Sequence, residues 1–238
     1  MTSETGGYTV ENAKAYGWGS IGDNINSDRK AMLDRYVVGK RVLDAGCGGG
    51  GYVRYLSQCG YDAVGVDNQD QFLALAEQAP CGGKFVHADL TEGLPFDDKS
   101  FDTTICFDVL EHVDDERVIR ELARVTLSRL IIAVPQEAGW LLDYGLLFAT
   151  YRDTTHLRYY TEESLRKLLN TVHGNSETIF GEQTRSLRAL VIDKLSPHSR
   201  YKLLDNLYCK LFRKLLYKSE DVLLHMNLAA IVDLTPRD

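Results

Sequence analysis

The 238-residue sequence has few prolines and few cysteines, and it contains no long apolar run. Its five cysteines form no C-x-x-C pair, which argues against a disulfide framework and a zinc knuckle. Without about 20 consecutive apolar residues, no transmembrane helix is expected. The first residues contain no basic stretch followed by an apolar one, so no secretory signal is expected and the predicted location is cytoplasmic.

Basic residues are also in deficit, since 27 Lys and Arg stand against 34 Asp and Glu, a formal net charge of −7. An acidic chain suits the phosphate backbone poorly, so no nucleic-acid partner is expected. The hydrophobic fraction of 44% is typical of a globular protein and excludes a disordered one. The length indicates one large domain, or one domain with an insertion.

Short apolar segments alternate with helical ones from residue 41 onwards. Segments of helical periodicity separate most of these strands, and strands joined by helices of about ten residues indicate right-handed βαβ units. The fold class predicted is therefore α/β, with a doubly wound, mostly parallel, seven-stranded sheet. The predicted strands are 41–45, 62–66, 84–87, 101–107, 128–134, 177–180 and 228–233.

Four parts are predicted along the chain. Residues 1–40 form an N-terminal lid or helix, and residues 41–184 form the core. A helical cap insertion covers 185–225, and 226–238 returns to the core as its final strand. A helix is also expected at 159–170, where Thr161 begins a capping motif.

A glycine-rich loop follows the first predicted strand and opens a helix. The spacing Gly46-x-Gly48-x-x-Gly51 also fits a dinucleotide fingerprint, so the glycines alone leave the ligand open. Asp44 discriminates, because a carboxylate there would repel a pyrophosphate and would suit a positively charged amino group. No phosphate-binding Lys follows the glycines, which excludes a P-loop.

Two further aspartates end successive predicted strands. Asp67 can accept hydrogen bonds from both hydroxyls of a ribose, and Asp89 can accept one from an adenine amino group. Both belong to the sheet edge at which open α/β folds bind their ligands. Together with Asp44 they predict a nucleoside that carries a cationic amino-acid group.

In these motifs the chain resembles the class I S-adenosylmethionine (SAM) methyltransferases. The matching segments are VLDAGCGGG at 42–50, VGVD at 64–67, ADL at 88–90 and FDTTICFDVLEHV at 101–113. The resemblance extends over roughly residues 40–170. It implies SAM as the cofactor and methyl transfer as the reaction.

The resemblance also implies which residues contact the cofactor. The backbones of Asp44 and Gly46 would meet the methionine moiety, and Asp67 would meet the ribose. Asp89 and Leu90 would lie at the adenine, and Phe107 and Asp108 would lie near the methionine end. The whole set is Asp44, Gly46, Gly48, Asp67, Asp89, Leu90, Phe107 and Asp108.

A second constellation follows the fourth predicted strand. Asp108, Glu111 and His112 share one face if they begin a helical turn, and His156 is expected over the same sheet edge. These four residues resemble the metal site of the small-RNA 2′-O-methyltransferases, and the first three resemble that of the ubiquinone-pathway O-methyltransferases. Asp108 departs from that pattern, being shorter than the usual glutamate. The resemblance implies a divalent ion, and a set of His and carboxylates suits Mg²⁺, Mn²⁺ or Zn²⁺ without choosing among them.

Other roles for the same residues remain open. His112 and His156 are candidate catalytic bases, because an aliphatic hydroxyl is a poor nucleophile until its proton is removed. Alternatively, Glu111 and His112 only orient the loop, and His156 makes a structural hydrogen bond.

Residues 199–218 form a basic segment with an apolar stripe at helical spacing. Six Lys and Arg stand against one Asp, a local charge of 6 − 1 = +5. Such a segment packs on the core as a cap helix, or it makes a peripheral contact with anionic lipid.

These patterns predict SAM-dependent methylation of a hydroxyl on a sugar, glycolipid or small metabolite, and therefore a small-molecule, glycan or lipid-linked acceptor. Two alternatives stay open. One is N-methylation of a small amine, which needs little base. The other is a SAM-binding module without catalysis.

Overall fold

The computed structural model describes residues 9–11, 25–78, 82–139, 153, 155–172, 174, 176–186 and 223–235. The predicted basic segment at 199–218 and most of the predicted cap at 185–225 lie outside these residues. Of the predicted N-terminal lid, only residues 9–11 and 25–40 are described.

Strands and helices alternate through the first two thirds of the described chain. In chain order the elements are α1 (Ser27–Tyr36), β1 (Arg41–Ala45), α2 (Gly51–Gln58), β2 (Asp62–Asp67), α3 (Asp70–Gln78), β3 (Lys84–His87), β4 (Phe101–Phe107), a 3₁₀ turn (Leu110–His112), α4 (Asp115–Val125), β5 (Thr126–Pro135), α5 (Glu162–Leu169), β6 (Ser176–Ser186) and β7 (Leu223–Asp233). Among the described helices, none is both long and apolar enough to cross a bilayer.

The strands form one seven-stranded sheet in the order β3-β2-β1-β4-β5-β7-β6. Strands β1 to β5 pair in parallel, whereas β7 runs antiparallel to both β5 and β6. This arrangement confirms the predicted doubly wound, mostly parallel sheet. The strand order reverses between β1 and β4, and such a switch point opens a crevice at the carboxyl ends of the strands.

The central strands are buried on both faces, which explains their continuous apolar character. Successive side chains alternate between the faces. Leu43 and Ile132 pack into the hydrophobic cluster on one side, and their neighbours Val42 and Ile131 pack into the cluster on the other.

Capping residues define where the helices after the crevice begin. The Asp114 carboxylate accepts a hydrogen bond from the Arg117 N–H at 3.2 Å and starts α4. Thr161 and Ser164 form a reciprocal capping box that starts α5. The predicted cap at Thr161 is therefore confirmed, although the helix begins at Glu162 rather than at residue 159.

The last two strands are longer than the sequence indicates. The predicted segments 177–180 and 228–233 extend to Ser176–Ser186 and Leu223–Asp233, paired as far as Ser186 opposite Leu223. The ends of the predicted 185–225 insertion therefore belong to the sheet. Polar residues such as Glu182 interrupt the apolar alternation by which a strand is recognised in a sequence. These parts of the strands are held by backbone pairing with the neighbouring strand.

Candidate active site

A cleft of about 240 Å³ opens at the switch point, at the carboxyl ends of β1 to β4. One wall comes from the loops after β1, β2 and β3, and the other from the loop after β4 and from Thr155. The lining residues are Gly46, Asp67, Asn68, Gln69, Ala88, Asp89, Leu90, Asp108, Val109, His112, Val113 and Thr155.

The glycine loop approaches its neighbours too closely for any side chain. Gly46 has φ +81°, and a Cβ added there would lie 2.3 Å from Cγ2 of Val109. Gly48, at φ +50°, donates its backbone N–H to Oδ2 of Asp67 at 2.8 Å. Glycine adopts such turns with the least strain, and the close approach of Val109 leaves no room for a Cβ at Gly46.

Asp67 and Asp89 line the cleft in different electrostatic settings. Asp67 is 5% exposed, and burial raises its pKa although the N–H groups of Gly48 and Gln69 act to lower it. Asp89 accepts hydrogen bonds from the hydroxyl and the N–H of Thr91, and these bonds lower its pKa. Both residues line the cleft, where a bound ligand can contact them.

Asp44 lies behind the glycine loop rather than on the cleft surface. It is 2% exposed, and its Oδ2 atom is buried without a hydrogen-bond partner. Burial, followed by repulsion from Asp67, raises the pKa of Asp44 to about 8. A cationic group bound nearby would favour its ionised form.

Glu111, His112 and His156 converge beside the cleft. One ligand atom from each lies within 4.8 Å of the other two. The centroids of the two imidazole rings are 4.7 Å apart. Oε2 of Glu111 and Nδ1 of His156 are both buried without a hydrogen-bond partner. Such unsatisfied atoms are costly, so the cluster suits a proton or a cation.

Burial also sets the charge of this cluster. It raises the pKa of Glu111 well above its ordinary value, and the Asp108 carboxylate adds to the effect. Burial lowers the pKa of His156, with repulsion from His112 as the second cause. The protein alone therefore favours a neutral carboxyl and a neutral imidazole, and a bound cation would reverse the preference at Glu111.

Asp108 does not join that cluster, contrary to the predicted four-ligand metal site. Its two oxygens accept hydrogen bonds from the Arg29 guanidinium at 2.6 and 2.8 Å, and Oδ1 also accepts one from the Asn227 amide at 3.1 Å. The metal-type group found among the described residues contains only Glu111, His112 and His156. The short Asp108 side chain, at φ +56°, is thus committed to Arg29.

Arg29 joins the first helix to β6 and to the end of β4. It is 4% exposed, and besides Asp108 it donates two hydrogen bonds of 2.9 Å to Oε1 of Glu182 on β6. Its guanidinium carbon lies 5.0 Å from the centre of the Phe107 ring. Bidentate pairing of this kind fixes geometry as well as charge, so α1 holds the end of β4 in place.

Comparisons with known proteins agree with this geometry. Residues 43–131 match a family described as a methyltransferase domain. The ubiquinone biosynthesis O-methyltransferase of Pseudomonas fluorescens (strain SBW25) is 35% identical over 112 residues, which cover 43% of this chain and 47% of that protein. An uncharacterized methyltransferase of Mycobacterium sp. (strain JLS) is 37% identical over 117 residues, 49% of this chain and 46% of that one. The chain thus matches about half the length of these relatives.

Solved structures share the fold across most of the chain. Phosphoethanolamine N-methyltransferase 2 of Haemonchus contortus, in complex with SAM, superposes with a TM-score of 0.64 at 18% identity, covering 97% of this chain and 58% of that one. A SAM-dependent methyltransferase of Archaeoglobus fulgidus gives a TM-score of 0.59 at 22% identity over 86% of this chain and 92% of that one. Residues 43–131 therefore resemble a methyltransferase domain, and the chain shares the fold of these SAM-dependent methyltransferases.

The cleft contains most of the residues that the sequence predicts for the cofactor site. The predicted residues on its surface are Gly46, Asp67, Asp89, Leu90, Asp108 and His112. Asp44, Gly48, Glu111 and His156 lie beside or behind that surface. Phe107 is 7% exposed and packs edge-on against Tyr52, with ring centroids 5.1 Å apart.

Part of this candidate site was not predicted from the sequence. Asn68 and Gln69 line the cleft directly after Asp67, and their position at the end of β2 was a usable signal. Arg29, Glu182 and Asn227 meet at Asp108 from distant parts of the chain. No local pattern marks them, because an arginine in a short polar helix reads as a surface residue.

Proposed function

We propose that this chain is a methyltransferase that moves the methyl group of SAM to a hydroxyl oxygen of a sugar, glycolipid or small metabolite. The observation that carries the proposal is the convergence of Glu111, His112 and His156 beside the cleft. A hydroxyl acceptor needs a group that removes its proton or stabilises the resulting alkoxide, and this cluster offers one. The ubiquinone biosynthesis O-methyltransferase among the relatives supports the same direction.

In this proposal SAM occupies the cleft along its loops. Asp67 accepts from the ribose hydroxyls, Asp89 and Leu90 meet the adenine, and the backbone at Gly46 meets the methionine end. SAM carries an ammonium and a sulfonium group, both cationic. The buried, unpartnered oxygen of Asp44 supports a cation of this kind, since burial leaves its charge uncompensated.

A histidine then removes the proton of the acceptor. Methyl transfer is an in-line displacement, so the acceptor oxygen must face the sulfonium methyl while it loses its proton. His112 lies on the cleft surface and is the nearer candidate. His156 has a lowered pKa, which keeps its imidazole neutral and able to accept a proton.

A divalent metal ion fits the same cluster. One carboxylate and two imidazoles are a donor set for Mg²⁺, Mn²⁺ or Zn²⁺, and the unsatisfied atoms of Glu111 and His156 support an ion there. Glu111, His112 and His156 would hold it, without Asp108. When bound, the ion would lower the pKa of the acceptor hydroxyl.

N-methylation of a small amine is the second candidate. The Asp108 carboxylate is partly exposed at the cleft. A carboxylate beside the methyl donor attracts a cationic amine. A SAM-binding module without catalysis is the third reading, and the first experiment separates all three.

The experiment is methyl release from labelled SAM across hydroxyl and amine acceptors, with His112→Ala and His156→Ala. Turnover should fall by about 10² or more in at least one variant, the usual contribution of a general base, while SAM affinity changes little. His225→Ala is the control, because His225 hydrogen-bonds Thr184 and does not line the cleft. Near-normal turnover in both single variants would contradict the base role.

Chelation separates the metal from the base. Loss of turnover on dialysis against a chelator, restored by one of the three ions, supports a metal-assisted reaction. Unchanged turnover leaves the histidines alone as the base. Methyl release to amines only would favour the second candidate, and tight SAM binding with no release on any acceptor would favour the third.

A further inference from the structure

The segment that carries His156 is fastened over the turn that carries His112. The backbone N–H of Leu157 donates to the carbonyl oxygen of Glu111 at 2.7 Å. The Arg158 guanidinium donates to the carbonyl oxygen of Leu110 at 2.9 Å. These bonds hold Asp153 and Thr155 against the two histidines, so the side-chain contacts among these four residues have a fixed geometry.

The hydroxyl of Thr155 has a defined direction. Its oxygen lies 2.5 Å from Oδ1 of Asp153, which as a carboxylate can only accept, so the hydroxyl proton points there. The same oxygen lies 3.0 Å from Nδ1 of His112. With its only proton engaged, Thr155 can only accept from that nitrogen.

A second contact leads to the same conclusion for His112. The backbone carbonyl oxygen of Thr155 lies 3.3 Å from Nδ1, and a carbonyl never donates. Both neighbours therefore require a proton on Nδ1. In the neutral ring, Nε2 then carries the lone pair, 4.0 Å from Oε1 of Glu111.

Asp153 acts on the other histidine through its second oxygen. Oδ2 of Asp153 lies 3.7 Å from Nε2 of His156, so its charge favours a proton on that nitrogen. The opposite nitrogen, Nδ1, is buried without a hydrogen-bond partner. One carboxylate thus faces both rings, directly and through Thr155.

We propose that Asp153 and Thr155 are positioning residues that set the tautomers of the two histidines. They hold His112 with its proton on Nδ1 and His156 with its proton on Nε2. The basic nitrogens left free are Nε2 of His112 and Nδ1 of His156. The use of these nitrogens in catalysis rests on the proposed function, whereas the tautomers themselves do not.

Long-range ¹H–¹⁵N correlation spectra test the tautomers without substrate. They are recorded on the full chain well above the ordinary histidine pKa of about 6.5, where the rings are neutral. In Thr155→Val the ratio of Nδ1–H to Nε2–H in His112 should fall about fivefold, the effect of one lost hydrogen bond. Thr155→Ser keeps a hydroxyl and should restore the wild-type ratio.

Asp153→Asn separates the two histidines. The amide oxygen can still accept from Thr155, so His112 should keep its proton on Nδ1. The amide NH₂ would then face Nε2 of His156 and donate to it, which should move the His156 proton to Nδ1. Thr184→Val is the control, because Thr184 contacts His225 and neither ring of the site.

The outcomes are distinct. A majority of the Nε2–H tautomer of His112 in the wild type, or an unchanged ratio in Thr155→Val, overturns the proposal. Should Thr155→Val fail to fold, the wild-type spectrum and Asp153→Asn decide it. Correct tautomer shifts with unchanged methyl transfer would leave the tautomer assignment standing and count against the histidine role in the proposed function.

Discussion

One arginine forms ion pairs with two acidic side chains, one at the candidate active site and one buried behind it. Arg29 is buried and pairs with Asp108 and Glu182, whose side chains are 46% and 3% exposed. Burying such a pair costs desolvation energy, and removing one partner costs more because the other charge stays buried. The contribution of Arg29 to the free energy of unfolding is therefore measured by substituting it.

Arg29→Met should lower the free energy of unfolding by about 3–5 kcal/mol, because Glu182 then remains buried without its cation. Urea denaturation measures the change. Arg120→Gln is the control, since the Arg120–Glu116 pair is exposed and is worth at most about 0.5 kcal/mol. Adding Glu182→Gln to Arg29→Met should recover part of the loss. Equal effects of the two arginine variants would rule out a structural role for the buried pair.

Asp44 predicts a pH dependence of the cofactor-free protein. Its pKa is about 8 in the folded protein, above the value of about 3.9 expected in the unfolded chain. The folded state therefore binds this proton more tightly, and the stability that Asp44 contributes is present below pH 4 and lost as the pH rises to about 8. The loss is at most about 1.4 kcal/mol per pH unit.

Asp44→Asn should remove that part of the slope, measured by urea unfolding between pH 5 and 8. Asp102→Asn is the opposite control. Its hydrogen bond from Arg41 lowers the Asp102 pKa to about 2, so its contribution is lost only as the pH falls below about 4. The Asp102→Asn curve should run parallel to wild type across the tested range. An Asp44→Asn curve that is also parallel would refute the shift.

Local chemistry made some of these residues visible in the sequence and hid others. Gly46 and Asp67 were predictable because a strand, a tight turn and a helix follow one another within a few residues. Arg29 was not, because its partners Asp108 and Glu182 are 79 and 153 residues away. The pairing of Asp108 with Arg29, in place of the predicted grouping with Glu111, was hidden for the same reason.

At the scale of elements, the glycine loop ties cofactor binding to the loop after β4. Gly46 touches Val109, so the two walls of the cleft meet at one contact. Gly60 has a similar φ of +88°, but a Cβ there would meet nothing within 4 Å. Substitution of each glycine by alanine therefore distinguishes backbone strain, which both positions would suffer, from a steric clash, which only Gly46 would suffer.

Gly46→Ala should abolish measurable SAM binding, because its Cβ would displace Val109 and deform the cleft. Gly60→Ala should cost about 1–2 kcal/mol of stability through strain alone and leave SAM affinity within about twofold. Isothermal titration gives the affinities, and urea denaturation gives the stabilities. If both variants bind SAM equally well, the contact with Val109 has no role in shaping the cleft.

Strands β1 to β4 were predictable to within about one residue, because buried parallel strands read as apolar runs bounded by glycine or polar turns. Helix α5 began three residues later than predicted, since Thr161 is a cap and not part of the helix. Strands β6 and β7 were longer than predicted, because their outer halves are specified by each other rather than by their own sequences.

At the scale of the whole molecule, charge is unevenly distributed. The net charge of −7 contains the +5 segment at 199–218, which lies outside the described residues. We expect this segment to attract anionic lipid, because each basic residue near such a surface adds about 1 kcal/mol.

Co-sedimentation with anionic vesicles tests that expectation. Replacing the six basic residues of 199–218 by Gln should abolish binding that the wild type shows at low salt. A control variant with six other exposed cations replaced has the same net charge and should still bind; its positions are Lys30, Arg35, Lys84, Lys99, Arg117 and Lys167. Absence of binding in wild type and variant alike rules out the lipid contact.

The pairing of Ser186 with Leu223 has a consequence for how this fold can diversify. Because Ser186 and Leu223 are paired neighbours, the strand pair itself closes the segment between them. Its length can change at an entropic cost that grows only with the logarithm of the residue number. The register of β6 and β7 therefore does not depend on one particular number of residues between Ser186 and Leu223, and a two-residue Asn-Gly turn introduced there is compatible with joining the two strands directly.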